Sequence, residues 1–163
     1  MPAYLIDTNV IIDAADSDSE WYAWSAAQLI RAANEGAVFI TKPLGAAGDR
    51  QAAGPEGTDS REGVRNPIIY AELAGYADSE QQMASILSDL LLERADLPWE
   101  AAFLAGRAFV AYRRAGGKRS APLPDFYIGA HAQVTGLTLL TRDARRYRSY
   151  FPDLRLIAPD TTP

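Results

Sequence analysis

The sequence predicts an α/β fold: a central, mainly parallel sheet covered by helices on both faces, giving a three-layer α/β/α sandwich. Three observations predict it. Short apolar runs at Tyr4-Leu5-Ile6, Ala37-Val38-Phe39-Ile40 and Leu137-Thr138-Leu139-Leu140 have the length and composition of buried strands. Longer stretches between them carry apolar residues at helical spacing. Strands that alternate with helices build parallel sheets with both faces covered. The chain's 163 residues, 48% of them hydrophobic, suffice for a single domain with a core.

The elements follow in order. Tyr4-Leu5-Ile6 predicts a strand ending at Asp7, and Val10-Ile11-Ile12 the start of a short helix. Asp16, Ser17, Asp18 and Ser19 are cap-type residues before a helix from about Glu20 to Asn34, which Gly36 stops. Ala37–Ile40 is the second strand. Residues 41–65 break the pattern, with five glycines, two prolines and no aromatic residue. They cannot bury much apolar surface and predict a flexible insertion within the one domain, 1–163. Asn66 can cap a helix whose first residue is Pro67, and Ile69, Glu72, Leu73 and Tyr76 share one face of it. Further helices are predicted from Ser79 to Leu92 and from Trp99 to Arg114, the latter ended by Gly116-Gly117. Pro124 opens another, with Asp125, Ile128, Gly129 and Ala132 on one face. The strand at Leu137–Leu140, a short helix from Arg145 to Tyr150 and an edge strand at Leu154–Ile157 complete the order.

Composition excludes several chemistries. Without cysteine there is no disulfide, thiolate metal site or thiol nucleophile. His131 is the only histidine, which leaves Ser-His and zinc chemistry poorly supplied; in its small-residue helix it reads as structural or surface. No run approaches the roughly 20 apolar residues of a membrane helix. The N-terminus lacks a basic leader, so a cytoplasmic location is the default expectation. The net charge of −5 conceals an asymmetry: residues 107–163 hold ten Lys/Arg and four Asp/Glu, whereas residues 1–106 hold six and seventeen. The basic third leaves room for a nucleic-acid partner, although two solvated faces of opposite sign explain it equally well.

Four acids stand where strands or helices would deliver them to one place: Asp7, Glu72, Asp125 and Asp143. Ligands in open parallel sheets bind beyond the carboxyl ends of the strands, and Asp7 and Asp143 are both there. Each has a bland alternative. Asp7 and Asp143 can cap the helices that follow, and Asp125 can complement a helix dipole. Glu72 shares a stripe with apolar residues and should point inward, where an unpartnered carboxylate is costly. Two carboxylates 4 Å apart repel by about 4 kcal/mol at an effective dielectric near 20, so a cluster of four needs protonation or a cation. Oxygen donors alone suit magnesium or manganese.

At these residues the chain resembles the PIN-domain ribonucleases, and most of all the VapC-type toxins of bacterial toxin–antitoxin systems. The matching segments are Leu5-Ile6-Asp7-Thr8-Asn9-Val10, Asn66-Pro67-Ile68-Ile69-Tyr70-Ala71-Glu72-Leu73, Leu123-Pro124-Asp125-Phe126-Tyr127-Ile128-Gly129-Ala130-His131-Ala132 and Leu139-Leu140-Thr141-Arg142-Asp143. They occur in the family order and span the chain except for 41–65, an insertion that family members usually lack. The resemblance implies a PIN-like fold and a Mg2+- or Mn2+-dependent endoribonuclease that leaves a 5′-phosphate and a 3′-hydroxyl. It implies that Asp7, Glu72, Asp125 and Asp143 surround the metal, with Asn9 and Thr141 as supporting polar groups. It implies a cognate antitoxin that blocks the enzyme, and a homodimer.

The expected reaction is attack of a metal-activated water on the scissile phosphorus of RNA. Lys118, Arg119, Arg142, Arg145 and Arg146 are candidates for contacting RNA phosphates at the rim. Two other readings compete. A phosphatase using an aspartyl-phosphate wants a second Asp two residues after the first, where this chain has Asn9. A non-catalytic interaction module would use the acids only as helix caps.

Overall fold

The computed structural model describes residues 3–35, 37–39, 67–89 and 95–159. Among the described residues, four short strands form one sheet: β1 (Ala3–Ile6), β2 (Ala37–Phe39), β3 (Thr138–Leu140) and β4 (Leu156–Ile157). Their order is β2-β1-β3-β4 and every pairing is parallel. In register, Leu5 lies between Phe39 and Leu139, and Ile6 is beside Leu140. Leu5, Ile6 and Leu139 are fully buried, as expected of strands covered on both faces.

The helices are α1 (Thr8–Ala15), α2 (Tyr22–Glu35), α3 (Pro67–Leu73), α4 (Glu80–Asp89), α5 (Trp99–Arg114), α6 (Pro124–Thr135) and α7 (Ala144–Tyr150). The chain steps from β1 to β2 in one direction across the sheet, and from β3 to β4 in the other. Right-handed crossovers therefore put α1 and α2 on one face and α7 on the opposite face, which makes three layers. Consistent with this, α1 packs on α2, whereas α6 packs on α5 and α7. The reversal of direction falls between β1 and β3, and a crevice opens at the carboxyl ends of such a pair.

Most element bounds agree with the sequence reading, and Trp99–Arg114 agrees at both ends. The expected cap Asn66, the stop at Gly36, residues 90–92 of the expected fourth helix and the 41–65 insertion lie outside the described residues. One inward position is corrected. Tyr76 was expected on the stripe of Ile69, Glu72 and Leu73, but the chain tightens into a 3-10 turn at Ala74–Tyr76. Tyr76 is 68% exposed at the mouth of the crevice that Glu72 also lines, while Ile69 and Leu73 stay buried. His131 is settled as a core residue: it is fully buried within α6, and neither ring nitrogen has a hydrogen-bond partner.

Gly129 has a packing role. A Cβ there would lie 2.6 Å from Phe151 Cε2 and 3.0 Å from Tyr147 Cδ1. Only glycine lets α6 approach the two rings that close the end of α7.

Candidate functional site

Asp7 ends β1 at the crevice. It is 5% exposed, and its backbone N–H donates to the Leu140 carbonyl at 2.9 Å, which locks the end of β1 to β3. Its side chain does not cap α1. Instead, one carboxylate oxygen, Oδ2, accepts from the Thr141 hydroxyl at 2.7 Å, the Asn9 amide at 2.9 Å and the Tyr147 hydroxyl at 3.0 Å. Burial pushes the Asp7 carboxyl above its ordinary range, while the hydrogen bonds from Thr141, Tyr147, the Thr8 backbone and Asn9 pull it back down. Burial beside this charge also drives the Tyr147 hydroxyl well above its usual value, so it stays a donor.

Glu72 reaches the same crevice from α3. It is half-buried, and its Oε2 accepts from the Thr8 hydroxyl at 2.6 Å. Its carboxyl is raised first by burial and further by the charge of Asp7, against the hydrogen bond from Thr8. The two acids therefore share one electrostatic environment and disfavour each other's ionisation.

Asp7, Asp13, Glu72 and Asp125 line one cavity of about 440 Å³, with Asn9, Tyr76 and Arg142 among its other walls. Asp125, in the first turn of α6, is ion-paired with Arg146 of α7. Asp143 is placed differently. It is exposed, does not line this cavity, and caps α7 by accepting from the Arg145 N–H at 3.2 Å. Its own backbone N–H donates to Thr141 Oγ1 at 3.2 Å, so one hydroxyl links Asp143 to Asp7. Asn9 closes the same network through its side-chain oxygen, which accepts from the Arg142 N–H at 3.0 Å. Both supporting residues expected from the sequence, Asn9 and Thr141, thus touch Asp7.

Three participants escaped the sequence reading. Asp13 is buried; its Oδ1 accepts from Ser19 and pairs with Arg142 at 3.2 Å, while its Oδ2 has no partner. Thr8 and Tyr147 hold Glu72 and Asp7. The spacing Asp7, Val10, Ile11, Asp13, Ala14 on α1 is a signal that could have revealed Asp13, since it continues the inward face. Of the expected phosphate contacts, Arg142 is at the cavity and Arg146 is held by Asp125. Arg145 lies in the neighbouring hollow, and Lys118 and Arg119 stand in the loop after α5, lining neither space.

The donors facing this cavity are all oxygens, which suits a hard divalent cation, and a cation would relieve the mutual penalty of Asp7 and Glu72. Among the described residues, however, no three His, Cys, Asp or Glu side chains are gathered closely enough to hold a metal ion. The pairing of Asp125 with Arg146 and of Asp13 with Arg142 directs these carboxylates toward guanidinium groups.

No family model matches the chain, and no curated protein matches it. Solved structures do. A chain of VapBC2 from Rickettsia felis, bound to a DNA fragment from its promoter, is 20% identical; the match covers 97% of this chain and 99% of that one, with a TM-score of 0.60. FitAcB from Neisseria gonorrhoeae is 20% identical over 94% of this chain and 96% of that one, with a TM-score of 0.58. DNA-bound VapBC from Salmonella typhimurium is 18% identical over 97% and 98%, also at 0.58. The chain has the PIN-like α/β fold of these neighbours. Among the described residues, no helix is long and apolar enough to cross a membrane.

Proposed function

We propose that this chain is a metal-dependent endoribonuclease that hydrolyses RNA phosphodiester bonds and serves as the toxin of a toxin–antitoxin pair. The observation that carries the reading is Asp7: a buried carboxylate at the topological switch point, held by three side-chain donors on one oxygen and destabilised by burial. Acids perturbed by burial and gathered in a crevice cluster at functional sites. The neighbours described as VapBC complexes and a toxin-antitoxin reading of the sequence motifs support a cognate antitoxin as partner; the homodimer that the sequence resemblance implies is part of the same proposal.

In this reading Asp7, Glu72 and Asp125 would hold Mg2+ or Mn2+, with Asp143, which caps α7 outside this cavity, as the fourth acid of the proposal and Asp13 as an additional acid of the cavity. Such a cation would supply charge to a phosphoryl oxygen and lower the pKa of a water. The protein's residues do the rest. Thr141, Asn9 and Tyr147 fix the orientation of Asp7 through Oδ2. Thr8 does the same for Glu72. Arg142 and Arg146, paired at rest with Asp13 and Asp125, would be the cations offered to a substrate phosphate.

A catalytically degenerate interaction module is the second reading, favoured by the absence of three converging acids among the described residues. One experiment separates the two. Purified protein is incubated with a mixed RNA pool and Mg2+ or Mn2+, beside Asp7→Asn, Asp143→Asn and an EDTA control. The nuclease reading expects cleavage that needs both the metal and Asp7. Asparagine caps a helix as well as aspartate does, so Asp143→Asn should lose cleavage while its thermal midpoint stays unchanged. Cleavage retained in Asp143→Asn would restrict that residue to capping. No cleavage by well-folded wild type free of antitoxin would sink the nuclease reading.

A further inference from the structure

A second hollow, of about 650 Å³, adjoins the acid cavity, and Arg142 lines both. Its walls include Trp21, Arg145, Arg148 and Pro159, with Asp143 at the edge. The local sequence explains the arrangement. The Thr141-Arg142-Asp143 turn leaves the carboxyl end of β3, and α7 then presents Arg145 and Arg148 at i, i+3 on one face. Both side chains are exposed, and none of the described ion pairs engages them. Arg142 is balanced by Asp13, so the hollow retains two uncompensated guanidinium groups against the single carboxylate of Asp143. Like charges one turn apart weaken a helix by a few tenths of a kcal/mol, and nothing in this fold requires them. Trp21 supplies a rigid apolar wall: it is 8% exposed and packs edge-on against Trp24 at 6.2 Å.

We propose that this hollow is a backbone subsite for single-stranded RNA, in which Arg145 and Arg148 hold the phosphate next to the scissile one. The inference rests on the ribonuclease reading and adds the path of the strand to it. A guanidinium suits the task because its planar fork matches two phosphate oxygens. Continuity decides in favour of a nucleic acid. A strand carries one phosphate per nucleotide, so one that places a phosphate at the acid cavity delivers the next across Arg142. An acidic peptide following the same path would bring its carboxylates against Asp7, Glu72 and Asp125.

The test measures binding without cleavage. A short fluorescein-labelled single-stranded RNA is titrated in EDTA at several salt concentrations, and anisotropy is read. The proteins are wild type, Arg145→Gln/Arg148→Gln, and a control that removes the same charge from α5, Arg107→Gln/Arg114→Gln. The backbone N–H that Asp143 caps is kept in the first variant, and all four side chains are exposed, so the folds should be intact. The expected result for Arg145→Gln/Arg148→Gln is binding weaker by about tenfold, with the log–log salt slope reduced by about 0.7 for each phosphate that is no longer neutralised. The control should change both quantities by less than half as much. Equal effects in the two variants, or no binding by wild type, would overturn the subsite. So would a polyglutamate peptide that binds as tightly and through the same two arginines, because the hollow would then belong to an acidic protein segment. The two readings fail separately. RNA cut by wild type while the hollow variant binds normally removes only the subsite. RNA bound through the hollow but never cut removes the nuclease and leaves the subsite standing.

Discussion

Tyr147→Phe isolates one of the three side-chain hydrogen bonds that hold Asp7 Oδ2. Tyr147 is 1% exposed, and its hydroxyl donates to Asp7 Oδ2 at 3.0 Å. Phenylalanine fills the same space, so the change removes a donor without opening a cavity. A hydrogen bond to a charged acceptor contributes about 1.5–3 kcal/mol. Asp7 Oδ2 keeps Thr141 and Asn9, which places the expected loss at the low end, about 1.5–2 kcal/mol at pH 8. For a chain of this size that is about 3–8 °C in thermal midpoint. The loss must also depend on pH. Burial raises the Asp7 carboxyl above 3.8 in the folded protein, so its ionisation opposes folding, and stability falls as the pH rises through the folded value. Removing the Tyr147 donor disfavours the ionised form further, by about one pH unit for 1.4 kcal/mol. The deficit of the variant should therefore be smaller at pH 4 than at pH 8, because the folded protein holds the proton on Asp7 to higher pH than the unfolded chain does. Urea unfolding in EDTA at both values measures it. A deficit equal at the two pH values would show that the hydroxyl does not serve the charged carboxylate, and no deficit at all would refute the hydrogen bond's role.

Two further outcomes follow from the packing around this network. Gly129→Ala should lower stability by about 1 kcal/mol net, because overpacking against Phe151 and Tyr147 costs about 1–3 kcal/mol while alanine recovers about 1 in helix propensity; calorimetry reads it, and a variant as stable as wild type would mean the rings move freely. Burial pushes the His131 ring down to about 4 from 6.5, so the folded protein holds it neutral while the unfolded chain takes up a proton below 6.5. Stability should accordingly fall between pH 6.5 and 4, by about 3 kcal/mol at most for this group. His131→Leu should remove that part of the slope, measured as the difference between wild-type and variant urea midpoints, and an unchanged difference across the window would contradict the assignment.

The strands and most helices were legible because their signals are local. A parallel strand buried on both faces must be continuously apolar, as Tyr4-Leu5-Ile6 and Leu137–Leu140 are, and a helix must repeat its apolar face every three to four residues. Glu72 was legible for the same reason, as the one acid on an apolar stripe. The exposure of Tyr76 was not, because a side chain at the end of a helical stripe can overhang the core without any change of composition. Tyr147 and Thr8 were invisible because a tyrosine and a threonine inside amphipathic helices carry no mark of what they face, whereas Asp13 continued the inward face of α1.

By itself the sequence determined the order of the elements, the parallel sheet, the positions of Asp7 and Asp143 after strands, Glu72 on an apolar helix face and Asp125 in the first turn of a helix. Period and polarity are properties of short windows, and they suffice for that. Only the tertiary structure decided that Asp7 turns away from the helix it precedes, whereas Asp143 turns toward the helix that follows it. Both are aspartates between a strand and a helix, and either orientation satisfies local chemistry. What separates them is burial: Asp7 lies among Thr141 and Tyr147, more than 130 residues away in the chain, and out of water its carboxylate must take the donors that surround it, while Asp143 remains in solvent and is free to cap.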